Sequence, residues 1–227
     1  MERFKEIILS PITISILIIL IGVGAFGFFV FKGKNVYSTP QMPYLEYSSV
    51  NNLPYDGKTQ SKVIIEEYGD FQCPACLGLY QSHMIDQVQS KYKDKVKFTF
   101  RNFPLVTVHP YAFRGAEAAL AAGAQGKFWE MYNKLYQSQA QFGNPAFGPN
   151  VNDLVEMAKS TGVTDIAKFE EQVNNDEFRD AVDRDVNRGT NLGVNSTPTI
   201  YINGQVFKDN WTVDAISPVI DKIISSN

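Results

Sequence analysis

Both cysteines of this 227-residue chain fall in one stretch, Phe71-Gln72-Cys73-Pro74-Ala75-Cys76, two residues apart. An apolar run, Val63-Ile64-Ile65, precedes it, and Leu77-Gly78-Leu79-Tyr80 follows it. Lys62 to Tyr68 is rich in β-branched residues and reads as a strand. Proline suits the first turn of a helix, where its missing N–H is no loss. A helix is therefore expected from Pro74 to about Lys91, with Leu77, Tyr80, Met84 and Val88 at helical spacing. The two thiols sit where a strand hands over to a helix, where they can close a small disulfide and reopen it. One pair is too few for a disulfide scaffold. A tetrahedral metal site needs four ligands, and the further soft donors are His83 and His109, whose spacing fits no common finger. Redox chemistry is the expectation, with no metal.

A dithiol catalyst needs one thiol ionised and a second able to displace it. Cys73 falls at or beside the helix N-cap, where unpaired N–H groups and the helix dipole favour an anion. It is expected to be the nucleophile. Cys76, one turn further in and shielded, would resolve a mixed disulfide by attacking Cys73. Glu66 and Glu67 interrupt the strand, and one should point to each face of the sheet. A carboxylate buried beneath the cysteines could relay a proton to Cys76; a strand-end acid reaching solvent is the alternative. His83 reads as a helix-surface residue. His109, before Pro110, reads as a helix-start or packing residue. Thr197-Pro198 precedes a late strand, where proline fits. Only ~5–6% of X–Pro bonds are cis, so on that ground alone the bond is expected to be trans.

The remaining chain frames this motif. A net charge of −3 argues against a nucleic-acid partner, and 44% hydrophobic residues suit a membrane segment plus one globular domain. Ile7 to Phe31 is apolar and uncharged, and at ~1.5 Å per residue it is long enough to cross a ~30 Å hydrocarbon core. A cleaved signal peptide is the rival reading. Phe26 to Phe31 continue the run past the small residues Val23-Gly24-Ala25, which favours an uncleaved anchor across residues 1–32. Lysine and arginine flank both ends, so charge barely sets the orientation. A lone span ahead of a large domain is expected to export that domain. Residues 33–61, with Pro40, Pro43 and Pro54, read as an extracytoplasmic linker.

Val96 to Phe100 alternates as a second strand, and strand–helix–strand of this length implies parallel pairing. Helices are expected over Tyr111–Ala122, Lys127–Gln137, Val151–Ser160, Asp165–Asn174 and Asp176–Leu192, with Gln139–Asn150 as a loop. Thr199-Ile200-Tyr201-Ile202 is a strand, Asn203-Gly204 a hairpin turn, and Gln205-Val206-Phe207 its return. A helix over Thr212–Ser225 closes the chain. The order is β-α-β, a helical block, then β-β-α.

Several of these stretches together resemble the DsbA-like thiol-disulfide oxidoreductases of bacteria, within the thioredoxin superfamily. They are Tyr68-Gly69-Asp70-Phe71-Gln72-Cys73-Pro74-Ala75-Cys76, Phe103-Pro104-Leu105 with His109-Pro110, Gln125 to Met131, and Gly193-Val194-Asn195-Ser196-Thr197-Pro198-Thr199. The resemblance implies an α/β thioredoxin fold over residues 62–227. A helical insertion at about 109–192 would cover one side of a peptide groove. It implies a cis Thr197-Pro198 bond beside the cysteines, overturning the base rate, and places Glu67 at a buried acidic position. Pro74, Ala75, Thr197 and Pro198 would meet substrate. The implied function is disulfide formation in exported proteins, with no cofactor beyond the Cys73–Cys76 disulfide. Reoxidation would fall to a DsbB- or VKOR-like membrane partner, and the chain would be monomeric. Strongly oxidising members carry His where this chain has Ala75, so a milder oxidant, a reductase or an isomerase on the same fold is the alternative. A peptide-binding module with incidental cysteines is a further one.

Overall fold

The computed structural model describes residues 55–56, 61–142 and 150–226. The apolar Ile7–Phe31 run, most of the 33–61 linker and residues 143–149 lie outside the described residues. Among the described residues, no helix is long and apolar enough to cross a membrane.

Five strands, β1 (Tyr55–Asp56), β2 (Val63–Gly69), β3 (Val96–Asn102), β4 (Thr199–Ile202) and β5 (Gln205–Phe207), form one mixed sheet in the order β1-β3-β2-β4-β5. β1 falls inside the stretch expected as linker, so the sheet begins ahead of Lys62. β2 is central, parallel to β3 and antiparallel to β4. The parallel β2–β3 pair is the one expected from the strand–helix–strand pattern. The β4–β5 hairpin turns through Asn203 and Gly204, both at positive φ (+47° and +78°), the conformation that Asn-Gly adopts most readily.

Side chains alternate across β2 and β3. Val63, Ile65, Val96 and Phe98 share one face with Ile200 and Ile202, and pack with Leu79, Met84, Val88, Ile216 and Ile220. These last five come from α1 (Pro74–Gln81), α2 (Met84–Tyr92) and α9 (Val213–Ser225). The single helix expected from Pro74 to about Lys91 is thus two. Ser82 donates its hydroxyl to Leu79 O at 2.6 Å and accepts from Met84 N at 3.2 Å, and His83 turns to φ +53°. A serine that satisfies nearby backbone with its own side chain offers an alternative to the helical ladder. His83 is exposed, 3.0 Å from Asp86.

Between β3 and β4 lie α3 (Ala112–Gly123), α4 (Phe128–Gln137), α5 (Gln139–Phe142), α6 (Val151–Ser160), α7 (Ile166–Asn174) and α8 (Arg179–Asn191). Asn150, Asp165 and Thr212 cap α6, α7 and α9 through their side chains, accepting from Asp153 N, Lys168 N and Ala215 N. Two expectations fail in this block. α5 occupies the start of the stretch expected as loop. α8 begins at Arg179 instead of Asp176, because Asp176 takes φ +49° and cannot continue a helix. The insertion shares its core with the cysteines: Phe71, Cys73, Cys76 and Phe100 pack with Met131, Tyr132, Leu135, Tyr136, Leu154 and Phe169. α8 lies on the other face of the sheet. A Cβ on its Gly189 would come within 2.7 Å of Phe103 and 2.9 Å of Tyr68, so the helix approaches the sheet where only glycine fits.

Candidate active site

The end of β2 delivers Cys73 to the N-cap of α1, with φ −74° and ψ +122°, and Pro74 opens the helix. Cys73 and Cys76 are free thiols. Pro74 and Ala75 are exposed between them, and Cys76 is fully buried one turn into the helix. The β2–β4 register pairs Tyr68 with Thr199, which brings the segment ahead of β4 alongside the turn that follows β2. The Thr197-Pro198 bond there is cis, against the base-rate expectation and in line with the family resemblance. The Cys73 thiol donates to Thr197 O at 3.3 Å across 124 residues of sequence.

The two thiols differ sharply. Cys73 is lowered from 9.0 to about 5 by the hydrogen bond from Cys76, against the opposing effect of its own burial. The Thr197 side chain and the backbone N–H groups of Cys76 and Ala75 lower it further. Cys76 is driven far above the ordinary thiol range by burial, then by its hydrogen bond to Cys73 and by the charge of Glu67. Asp70 N donates to Cys76 Sγ at 3.5 Å. One sulfur is thus suited to be a thiolate near neutral pH and the other to hold its proton, which are the needs of an attacking and a resolving thiol.

Glu67 lies on the cysteine side of the sheet, 1% exposed, and among the described residues neither carboxylate oxygen has a hydrogen-bond partner. Burial raises its pKa from 4.5 to about 8. The strand-end, solvent-reaching alternative is therefore wrong for this residue. Glu66 faces the opposite side, also buried, within hydrogen-bonding distance of Arg101 (3.1 Å) and Arg188 (3.2 Å).

Three further residues shape the turn, and sequence reasoning gave them no role. Gln139 of α5 is buried and donates its amide to Phe71 O at 2.9 Å and Cys73 O at 3.0 Å. Gln72 accepts from Tyr111 N at 2.8 Å. Asp70 is buried, accepts from Gln72 N and Leu105 N, and lies 2.8 Å from His109 Nδ1. His109 thus packs at the start of the helical block, as expected, but against the active-site turn. Its signal was its place in the Phe103 to Pro110 motif; Gln139 had none. Among the described residues no group of three or more His, Cys, Asp or Glu side chains could hold a metal ion.

A family model described as thioredoxin matches residues 50–222. The chain belongs to the thioredoxin family. Of solved structures, the chain is similar to BdbD from Bacillus subtilis in its oxidised form. The TM-score is 0.68 at 26% identity, covering 77% of this chain and 94% of that one. It is 29% identical over 184 residues to disulfide bond formation protein D of Bacillus subtilis, across 77% of this chain and 78% of that protein. It is also 32% identical over 157 residues to the Na(+)/H(+) antiporter NhaA 1 of Mycolicibacterium vanbaalenii. There the match spans 68% of this chain and only 24% of the antiporter. The DsbA-like resemblance drawn from the motifs thus holds for this thioredoxin-family chain.

Proposed function

We propose that the chain is an extracytoplasmic thiol-disulfide oxidoreductase that forms disulfides in exported proteins. The observation that carries this reading is the asymmetry of one CxxC pair: Cys73 held at about 5 beside Thr197-Pro198 and 6% exposed, Cys76 fully buried and held protonated. In the oxidising direction a substrate thiolate attacks Cys73 Sγ of the Cys73–Cys76 disulfide. The S–S bond breaks, its electron pair leaves on Cys76, and Cys76 takes a proton. A second substrate thiolate then attacks the substrate sulfur of the mixed disulfide and expels Cys73 as a thiolate. The substrate gains a disulfide and the enzyme is left as the dithiol. Glu67, beneath Cys76, serves as the proton carrier for that sulfur.

Thiolate stabilisation favours the dithiol and so makes the disulfide oxidising. Here Cys76, Thr197 and backbone N–H groups supply it, without a charged residue at position 75. Anchoring by Ile7–Phe31 and reoxidation by a DsbB- or VKOR-like membrane protein complete the proposal. The relative named for disulfide bond formation supports this direction. Ala75 supports the second reading, a milder catalyst working as a reductase.

Two measurements decide. Cys76→Ala in cells should accumulate mixed disulfides between Cys73 and exported proteins; peptide binding without adducts would make the chain a binding module. Equilibration with glutathione should give a potential well above the ~−270 mV of thioredoxin. A value at or below it would reverse the direction.

A further inference from the structure

We propose that Asp70 and His109 are a positioning pair that tunes the reactivity of the two cysteines by fixing a residue, Asp70, whose backbone touches both. This rests on the disulfide-exchange reading above. Asp70 O accepts from Cys73 N at 3.1 Å, while Asp70 N donates to Cys76 Sγ at 3.5 Å. Any rotation of Asp70 therefore moves one contact of each cysteine. The carboxylate that holds Asp70 in place is itself fully buried. Its Oδ1 accepts from Gln72 N at 2.7 Å; its Oδ2 accepts from Leu105 N at 2.9 Å and pairs with His109 Nδ1 at 2.8 Å.

His109 is the member of this set whose loss leaves the backbone framework standing. Its loop is braced independently by His109 N to Leu105 O at 2.8 Å and Ala112 N to His109 O at 3.1 Å. The strand end is held to the same region by Phe103 N to Gly69 O at 2.8 Å and by Tyr111 N to Gln72 Oε1 at 2.8 Å. What His109 adds is the third donor on a buried carboxylate. Without it, Asp70 is less well fixed, and its less compensated charge lies closer in effect to the place where a thiolate forms. Both changes disfavour the Cys73 thiolate, so both make the disulfide less oxidising.

The test compares full-length wild type, His109→Ala and His109→Asn by the ultraviolet absorbance of the thiolate against pH and by equilibration with glutathione. Asparagine offers an amide N–H close to where the ring offers Nδ1; alanine offers none. His109→Ala should shift the equilibrium about threefold to tenfold towards the oxidised enzyme and raise the thiolate midpoint. His109→Asn should stay within about twofold of wild type, since the donor is kept. If alanine at 109 does not fold, His109→Gln, whose longer amide misplaces the donor, takes its part. Wild-type behaviour in the donor-less variant overturns the proposal, and so does an asparagine variant shifted as far as it. Loss of melting temperature with unchanged redox behaviour would mark the pair as structural only. A wild-type enzyme that does not exchange with glutathione would instead sink the redox reading itself.

Discussion

Glu66 and Glu67 are neighbours in the chain and point to opposite faces of β2. Glu66 is ion-paired to Arg101 at 3.1 Å and to Arg188 at 3.2 Å. Glu67 has no hydrogen-bond partner among the described residues, and when ionised it raises the pKa of Cys76. The two-residue repeat of a strand thus gives one carboxylate a structural anchor and the other a place under the reactive sulfurs.

Glu67→Gln tests the second environment. The native carboxyl titrates at about 8 against an ordinary 4.5. Between those values the unfolded chain gives up its proton and the folded one does not, so native stability falls as pH rises from about 4.5 to about 8. Glutamine removes that fall. Urea unfolding should show the variant gaining on wild type through this window, by up to about 5 kcal/mol at its upper end. A gap that stays flat with pH would contradict the buried, protonated assignment.

The Cys73 thiol has the reverse sign. Its pKa is depressed from 9.0 to about 5, so its contribution to the reduced form is complete above about pH 9 and is lost as pH falls towards 5. Reduced and oxidised protein should differ most in stability near the upper value and least near the lower. Alkylation rates at Cys73 should reach half their plateau near pH 5, with Cys76 unreactive throughout. Half-reaction near pH 9 would remove the basis for an oxidising disulfide.

Gln139→Ala strips the donor shared by Phe71 O and Cys73 O. Cys73 O keeps Leu77 N at 3.1 Å, so the loss falls on Phe71 O, and leaving a buried carbonyl unpaired costs about 1–3 kcal/mol. Amide hydrogen exchange should quicken around residues 71–77 while the sheet stays protected. Unchanged exchange there would mean that α5 does not restrain the turn.

Gly69→Ala places a methyl 2.3 Å from Phe100 Cε2, inside contact distance, with Glu67 Oε1 at 3.0 Å. Phe100 is fully buried and has little room to yield. Overpacking of this kind costs about 1–3 kcal/mol, read as a lower urea midpoint at unchanged slope. A neutral substitution would show that the Phe100 ring moves aside freely.

Strand and helix order was legible in the sequence because β3, α4 and α9 carry clean hydrophobic periods, β2 is rich in β-branched residues and α6 opens on a capping Asn150. The break at Ser82-His83 was not, since Leu77, Tyr80, Met84 and Val88 keep helical spacing across it. At the site, the cysteines and the proline after Thr197 were legible as types placed at junctions. Burial of Glu67 was not legible from the residues, because Glu66 and Glu67 read alike until the register assigns their faces; it came from the resemblance. Asp70 and Gln139 escaped because their work is hydrogen bonding to backbone, which leaves no pattern along the chain. The cis bond came from the resemblance alone and ran against the residue-level expectation.

The amide of Gln139 joins the helical insertion to the carbonyl of Cys73. On the proposed function, a polypeptide that displaced α5 would displace the backbone of Cys73 with it.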